Sequence, residues 1–335
     1  MKKVFLLFTI FISITGLSQP LNVMSFNIRL NIKSDSLNAW PYRKEMVASQ
    51  VLFHETHILG VQEALHDQMK DLSERLPSFK FIGTARDDGK QKGEYSAIFF
   101  DTTRLQLVQS ETFWLSETPT VPGSKSWDAA ITRIVTWGKF RDHKTKTEFF
   151  VFNTHFDHLG KEARRQSAML IRKKIGDVTG KLPVIVTGDF NSKPTEDPIK
   201  ILTDTTNKLF LTDTKKISRT PHYGPAGTFN AFQSKENSDE PIDFIFVKNG
   251  IQVLQHATLS QTWMGRFSSD HFPVFARIEL KVKSQKSKID TEHLRFFATK
   301  AQRHKVSRRV FLCARLCLCA FVAKKNTTAV SIFDF

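Results

Sequence analysis

The chain has 335 residues, 49 Lys+Arg against 33 Asp+Glu, a formal net charge of +16 and three cysteines. That length suits one large domain or two ordinary ones, and 40% hydrophobic with 24% charged residues excludes an intrinsically disordered chain. Half of the excess positive charge falls in residues 284–335, so the body is only mildly basic and charge alone does not make it a nucleic-acid binder. All three cysteines (Cys313, Cys317, Cys319) lie in that same tail, which excludes a disulfide scaffold for the rest.

In chain order, Met1-Lys2-Lys3 followed by an apolar run to Leu17 predicts a secretory signal peptide over residues 1–19, and hence a secreted or periplasmic protein. The run is too short for an ordinary membrane span. Apolar segments then predict strands at 21–28, 58–62, 79–83, 96–100, 131–140, 149–154, 184–187, 242–247 and 274–280. Many are apolar on both faces, which implies cover on both sides. Helices are expected at 41–54, 66–76 and 161–175, where Ala168, Ile171 and Ile175 keep helical spacing. This order fits one α/β domain over residues 20–283, built on two packed sheets with helices outside. Residues 284–335 read as a basic, Cys-containing extension outside that fold. No integral membrane span and a monomer are expected.

Polar residues that are costly to bury recur where the apolar strands stop. They are Asn27 and Arg29, Gln62-Glu63, Glu94, Arg133, Asn153-Thr-His155-Phe-Asp157-His158, Gly188-Asp189-Phe-Asn191-Ser192, Asp243 and Ser269-Asp270-His271. Taken one at a time, each is as well explained by a cap or a turn. Gathered at one edge, carboxylates, amides and two imidazoles make a hard-cation site beside candidate acid/base groups. His54, His57 and His222 read as structural or surface residues, and Trp137 as core. Trp263 and Phe267, on the loop before Asp270, are candidates for stacking on a base or sugar ring.

Glu63 in Gly-Val-Gln-Glu, His155 in Asn-Thr-His-Phe-Asp, the run 188–192 and the closing Ser-Asp270-His271 together resemble the motif set of the endonuclease/exonuclease/phosphatase (DNase I-like) superfamily, and the chain resembles its secreted bacterial members. The resemblance implies a four-layer α/β-sandwich of two mainly antiparallel β-sheets flanked by helices. It further implies Mg²⁺, or Mn²⁺ in its place, and hydrolysis of a phosphodiester or phosphomonoester by metal- and His-assisted attack of water. Carried over by motif, Asn27, Glu63 and Asp270 hold the metal, and His155, Asp189, Asn191, Asp243 and His271 are catalytic. Asp243 orients an imidazole, His155 being the expected partner, while Glu94 resembles the carboxylate that orients the other histidine. Arg133, Asn191 and Glu94 face the substrate. The sequence departs from exonuclease III-like members at Arg29, where an acidic residue is usual, which argues against abasic-site repair. Expected substrates are phosphate esters: nucleic acids, nucleotides, inositol phosphates or phospholipid headgroups. A catalytically inactive phosphate-binding module on the same fold is the alternative.

Overall fold

Successive side chains of a strand point to opposite faces, so a strand apolar throughout needs two covers, and β1 (Leu21–Asn27) has them. Val23 lies in an apolar layer shared by both sheets, while Met24 faces the layer beneath the helices. The computed structural model describes residues 19–233 and 240–280. Except for Gln19, the expected signal peptide therefore lies outside the described residues, and so does the 284–335 extension.

After β1 come α1 (Lys44–Phe53), β2 (Ile58–Ala64), α2 (His66–Arg75), β3 (Phe79–Ile82), β4 (Tyr95–Asp101), β5 (Leu105–Trp114), β6 (Ile134–Asp142), β7 (Glu148–His155) and α3 (Lys161–Thr179). The rest are β8 (Val184–Asp189), α4 (Asp197–Thr203), β9 (Thr212–Asp213), α5 (Thr214–Ile217), β10 (Asp243–Lys248), β11 (Ile251–Thr258), β12 (Thr262–Trp263), β13 (Arg266–Phe267) and β14 (Val274–Leu280). One sheet runs β11-β14-β1-β2-β4-β3, the other β5-β6-β7-β8-β10-β9, and β12-β13 form a separate hairpin. The inter-sheet layer holds Val23, Ile58 and Ile98 against Phe140, Val151 and Ile185. A second layer packs Val47, Val51 and Leu72 under the first sheet, and a third packs Ala168, Ile171 and Ile175 under the other. Three apolar layers between four layers of structure are the expected sandwich. No helix among the described residues is long and apolar enough to cross a membrane.

Each sheet contains one parallel pair: β1 with β2, joined through α1, and β7 with β8, joined through α3. Parallel strands end at the same edge. There β1 and β2 deliver Asn27 and Glu63, and β7 and β8 deliver His155 and Asp189. Antiparallel β10 and β14 begin where β8 and β1 end, which brings Asp243 and the preceding Asp270-His271 to the same place. Asp189 is register partner to both His155 and Asp243.

One layer inside that edge, the two sheets are tied by hydrogen bonds. Asn153 Nδ2 donates to the Val61 and Ala97 carbonyls at 2.8 and 2.9 Å, while its Oδ1 accepts from Gln62 Nε2 at 2.7 Å and Thr187 Oγ1 at 2.9 Å. All four hydrogen-bonding positions of this buried amide are filled. Gly60 is required beside it, because a Cβ there would lie 2.6 Å from Asn153 Oδ1.

Besides the two-residue strands β9, β12 and β13, two longer strands, β5 and β11, have no counterpart in the expected set. Both are sheet edges with a register shift, Leu107/Gln109 and Val253/Gln255, which interrupts the period-two pattern that identifies a strand. The first helix starts at Lys44 rather than residue 41, since Trp40–Tyr42 with its Pro41 forms a separate 3-10 turn.

Candidate active site

The bottom of the site is Asn27, fully buried at the end of β1. Its Nδ2 lies 3.0 Å from Glu63 Oε1 and 3.0 Å from Asp189 Oδ2, and its Oδ1 accepts the Arg29 N–H at 3.1 Å. Asn27 was expected as a metal ligand. Its oxygen accepts one backbone N–H, and its amide nitrogen joins one carboxylate from each sheet. Glu63 reaches it through a bulge between Val61 and Ala64, where Glu63 has φ +63°. The second Glu63 oxygen accepts from the Leu30 N–H at 3.2 Å.

His271 Nδ1 sits 2.9 Å from Asp243 Oδ2, and its Nε2 points back towards Asp189 Oδ2 at 3.8 Å. Burial alone would lower this imidazole, but the carboxylates of Asp243, Asp189 and Asp270 together hold its pKa well above the ordinary value. Asp243 was expected to orient His155; its partner is His271. Burial, reinforced by the nearby Asp243 charge, pushes Asp189 up to about 7.

His155 meets a different environment. Asn191, held at φ +44° with its N–H on Asp189 Oδ1, donates through Nδ2 both to the Phe156 carbonyl and towards His155 Nε2, each at 3.0 Å. The Phe156 bond fixes the amide orientation, so Nε2 is the acceptor and the His155 proton resides on Nδ1. Burial first, then the charge of Arg133, hold this histidine well below its ordinary pKa, and it is neutral.

The far wall is cationic. Arg133 is buried, with Nη2 3.3 Å from His158 Nδ1 and Nε 3.7 Å from Asp157 Oδ1; Nε and Nη1 have no hydrogen-bond partner among the described residues. Asp157 fixes the preceding loop by accepting the N–H groups of Ala130, Ile131, Leu159 and Gly160. Glu94, expected to orient a histidine, instead pairs with Arg86 at 2.6 Å, and burial keeps its pKa raised. His158 is exposed, and the N-terminus of α3 is capped by Asp128, which accepts from Glu162 and Ala163. Trp263 is exposed on the β12-β13 hairpin, whereas Phe267 is buried against Phe272 and is not available for stacking.

Two arginines frame the site: Arg29, noted in the sequence without a role, and Arg43, which no signal in the sequence singled out. Arg43, 1% exposed, donates to the carbonyls of Ile28, Arg29, Asn38 and Ser268. It thereby ties the loop after β1 to the loop that carries Asp270. Burial lowers it to about 10, which leaves it charged at neutral pH. Arg29 clamps Asp35 through Nε and Nη2 at 3.0 and 3.1 Å, with Nη1 3.7 Å from Asp270 Oδ2 and 4.0 Å from Glu63 Oε2.

Two donor sets suit a hard cation. Asp189, Asp243 and His271 each place a ligand atom within 4.8 Å of the others. In that set the His271 Nδ1 and an Asp243 oxygen are already engaged with each other. Glu63 and Asp270 are two carboxylates converging on a single positive group, the Arg29 Nη1, and the Glu63 charge contributes to the raised pKa of Asp270 after burial. This second set is the better fit to a divalent ion, which relieves the repulsion between the two acids.

The Endonuclease/Exonuclease/phosphatase family model matches residues 24–271. The chain is 41% identical to an endonuclease/exonuclease/phosphatase from Bacteroides vulgatus, covering 79% of this chain and 100% of that one with a TM-score of 0.75. It is 39% identical to a Bacteroides thetaiotaomicron mannosyl-6-phosphatase, covering 77% and 99% with a TM-score of 0.73. An uncharacterised protein of Acanthamoeba polyphaga mimivirus is 26% identical over 51% of this chain, which spans 64% of that relative's length.

Proposed function

Because the chain belongs to the endonuclease/exonuclease/phosphatase family, we propose that it is a divalent-metal-dependent phosphoesterase acting on a small phosphate ester of the sugar-phosphate class. The observation that carries the reading is the buried His271–Asp243 pair facing Asp189 beside the Glu63/Asp270 carboxylates. The likeness to a mannosyl-6-phosphatase supports the sugar-phosphate part.

Glu63 and Asp270 would hold the metal, Mg²⁺ or Mn²⁺, which when bound offsets charge on the phosphate oxygens and acidifies water. Asp189, pushed up to about 7, is matched to a general base near neutrality and takes the proton of the attacking water. That water forms the new P–O bond as the ester P–O bond breaks. The His271 imidazolium, stabilised by Asp243, donates its Nε2 proton to the departing oxygen. Return of the proton from Asp189 to His271, 3.8 Å away, resets the pair. Neutral His155 and the Asn191 amide present uncharged dipoles, which do not repel an anionic phosphate, and Arg133 supplies guanidinium N–H groups to its oxygens.

The test is a substrate panel of mannose 6-phosphate, p-nitrophenyl phosphate, bis(p-nitrophenyl) phosphate, inositol phosphates, RNA and plasmid DNA, assayed with Mg²⁺ and with Mn²⁺. Sugar-phosphate hydrolysis lost in His271→Ala and in EDTA is the expected result. Nicking of DNA alone would overturn the substrate class, and Mg²⁺ binding without any hydrolysis would make the chain a binding module.

A further inference from the structure

Arg29 follows Asn27 by two residues at the end of β1, and its surroundings give it a chemical meaning. Its backbone is pinned at both ends. The N–H donates to Asn27 Oδ1, and the carbonyl accepts from Arg43 Nη2 at 3.2 Å and Gln68 Nε2 at 2.8 Å. Arg29 has left-handed backbone, with φ at +57°, and its side chain lies beside the Glu63 and Asp270 carboxylates. Asp35 grips two of the guanidinium nitrogens side-on, so the head group is held at a fixed angle rather than floating in solvent. The third nitrogen, Nη1, faces the Glu63/Asp270 carboxylates at 4.0 and 3.7 Å, beyond hydrogen-bond reach, and the side chain remains 29% exposed. A clamped guanidinium whose remaining N–H groups look into a cleft is built to meet an incoming acceptor.

The cleft then has a cation at each end. Arg29 lies beside Glu63 and Asp270, Arg133 feels the charge of Asp189 and Asp157, and Asn27 Nδ2 links Glu63 to Asp189 between them. A phosphodiester has one negative charge and two non-bridging oxygens. A terminal phosphate carries up to two charges and three such oxygens, so it offers a guanidinium beside the reacting group one more acceptor and more charge than a diester does.

We propose that Arg29 is a specificity residue that recognises the extra oxygen of a terminal phosphate and so fits this site to phosphomonoesters over diesters. The proposal rests on the phosphoesterase reading above, and names the substrate class of that same site. Nothing in it requires a second metal ion, because Arg29 itself supplies positive charge beside Glu63 and Asp270.

The test compares wild type with Arg29→Gln at pH 7.5 in fixed Mg²⁺. It measures kcat and KM for p-nitrophenyl phosphate and bis(p-nitrophenyl) phosphate, and the binding of inorganic phosphate against dimethyl phosphate by calorimetry. The monoester-to-diester ratio of kcat/KM should fall at least tenfold in Arg29→Gln, chiefly through KM, and phosphate binding should weaken by a similar factor while dimethyl phosphate binding changes less. Equal losses on both substrates, or unchanged phosphate binding, would overturn it. If Arg29→Gln does not fold, Asp35→Asn, which releases the clamp, should shift the same ratio in the same direction, and an unchanged ratio there overturns the proposal. If wild type hydrolyses neither compound, the phosphoesterase reading fails, and the two binding constants still decide whether Arg29 prefers a terminal phosphate.

Discussion

His271 Nδ1 lies 2.9 Å from Asp243 Oδ2, and both side chains are buried, one delivered by the start of β10 and the other by the loop before β14. The pair depends on the two sheets being packed, since β10 belongs to one and β14 to the other. Asp243→Asn should lower kcat by about 100-fold or more, as loss of an oriented acid/base group does. It should also change stability with a definite sign. A histidine whose folded pKa is raised contributes stability that is fully present below the unfolded value of about 6.5, and this is lost as pH rises through the folded value. In EDTA, the melting-temperature gap between wild type and Asp243→Asn should therefore be widest below about pH 6.5 and narrow as pH rises above it. A gap that widens with pH would show that Asp243 does not act through His271.

Asp189 gives the opposite sign. Its carboxyl is pushed up from 3.8 to about 7 by burial and the neighbouring Asp243, so its ionised form costs stability, progressively from pH 4 to 7 and fully above. In metal-free buffer at pH 8, Asp189→Asn should melt at least about 2 °C above wild type while losing nearly all hydrolysis. Thermal melts run at pH 5 and pH 8 check both halves, because the advantage should shrink at the lower pH.

Glu63 and Asp270 are the groups on which metal binding should depend. Glu63→Gln and Asp270→Asn should each abolish most of the melting-temperature rise that Mg²⁺ or Mn²⁺ produces in wild type, and lower turnover by about 100-fold or more. Retention of the metal-induced rise in both variants would move the ion to Asp189, Asp243 and His271.

Arg43 contacts no reacting group in the proposed mechanism, yet it binds four backbone carbonyls from three stretches of chain. Arg43→Met should cost about 3–5 kcal/mol in urea unfolding, the usual effect of leaving buried polar groups without partners. Arg43→Lys should recover only part of this, because one ammonium cannot reach the directions that the guanidinium fork spans.

The chemistry of the site was legible in the sequence because polar residues interrupt one apolar strand after another, and a cap or a turn, which explains any one of them, does not explain the recurrence. Asn27, Glu63, His155, Asp189, Asp243, Asp270 and His271 were all named on that ground, and the structure brings them to one edge. Their pairings were not legible. Whether Asp243 faces His155 or His271 depends on strand order across two sheets, which spacing along the chain does not encode, and the expected partner was the wrong one. Glu94 found Arg86 eight residues back across its own loop instead of a histidine across the cleft. Arg43 looks like the first residue of a helix, and nothing in its neighbours announces that it turns inward to gather carbonyls.

The Asn153 amide sits one alternate position below His155, as Thr187 sits below Asp189. Glu63, His155 and Asp189 thus share strands with the groups that lock the two sheets together, whereas Arg133, Glu94 and Arg29 stand on connections between strands, as do Asp270 and His271. The connections bearing Glu94 and Arg133 should therefore be exchangeable for those of another family member as cassettes, whereas the stretch bearing Arg29, whose backbone is hydrogen-bonded to Asn27, Glu63 and Arg43, has to travel with the catalytic edge.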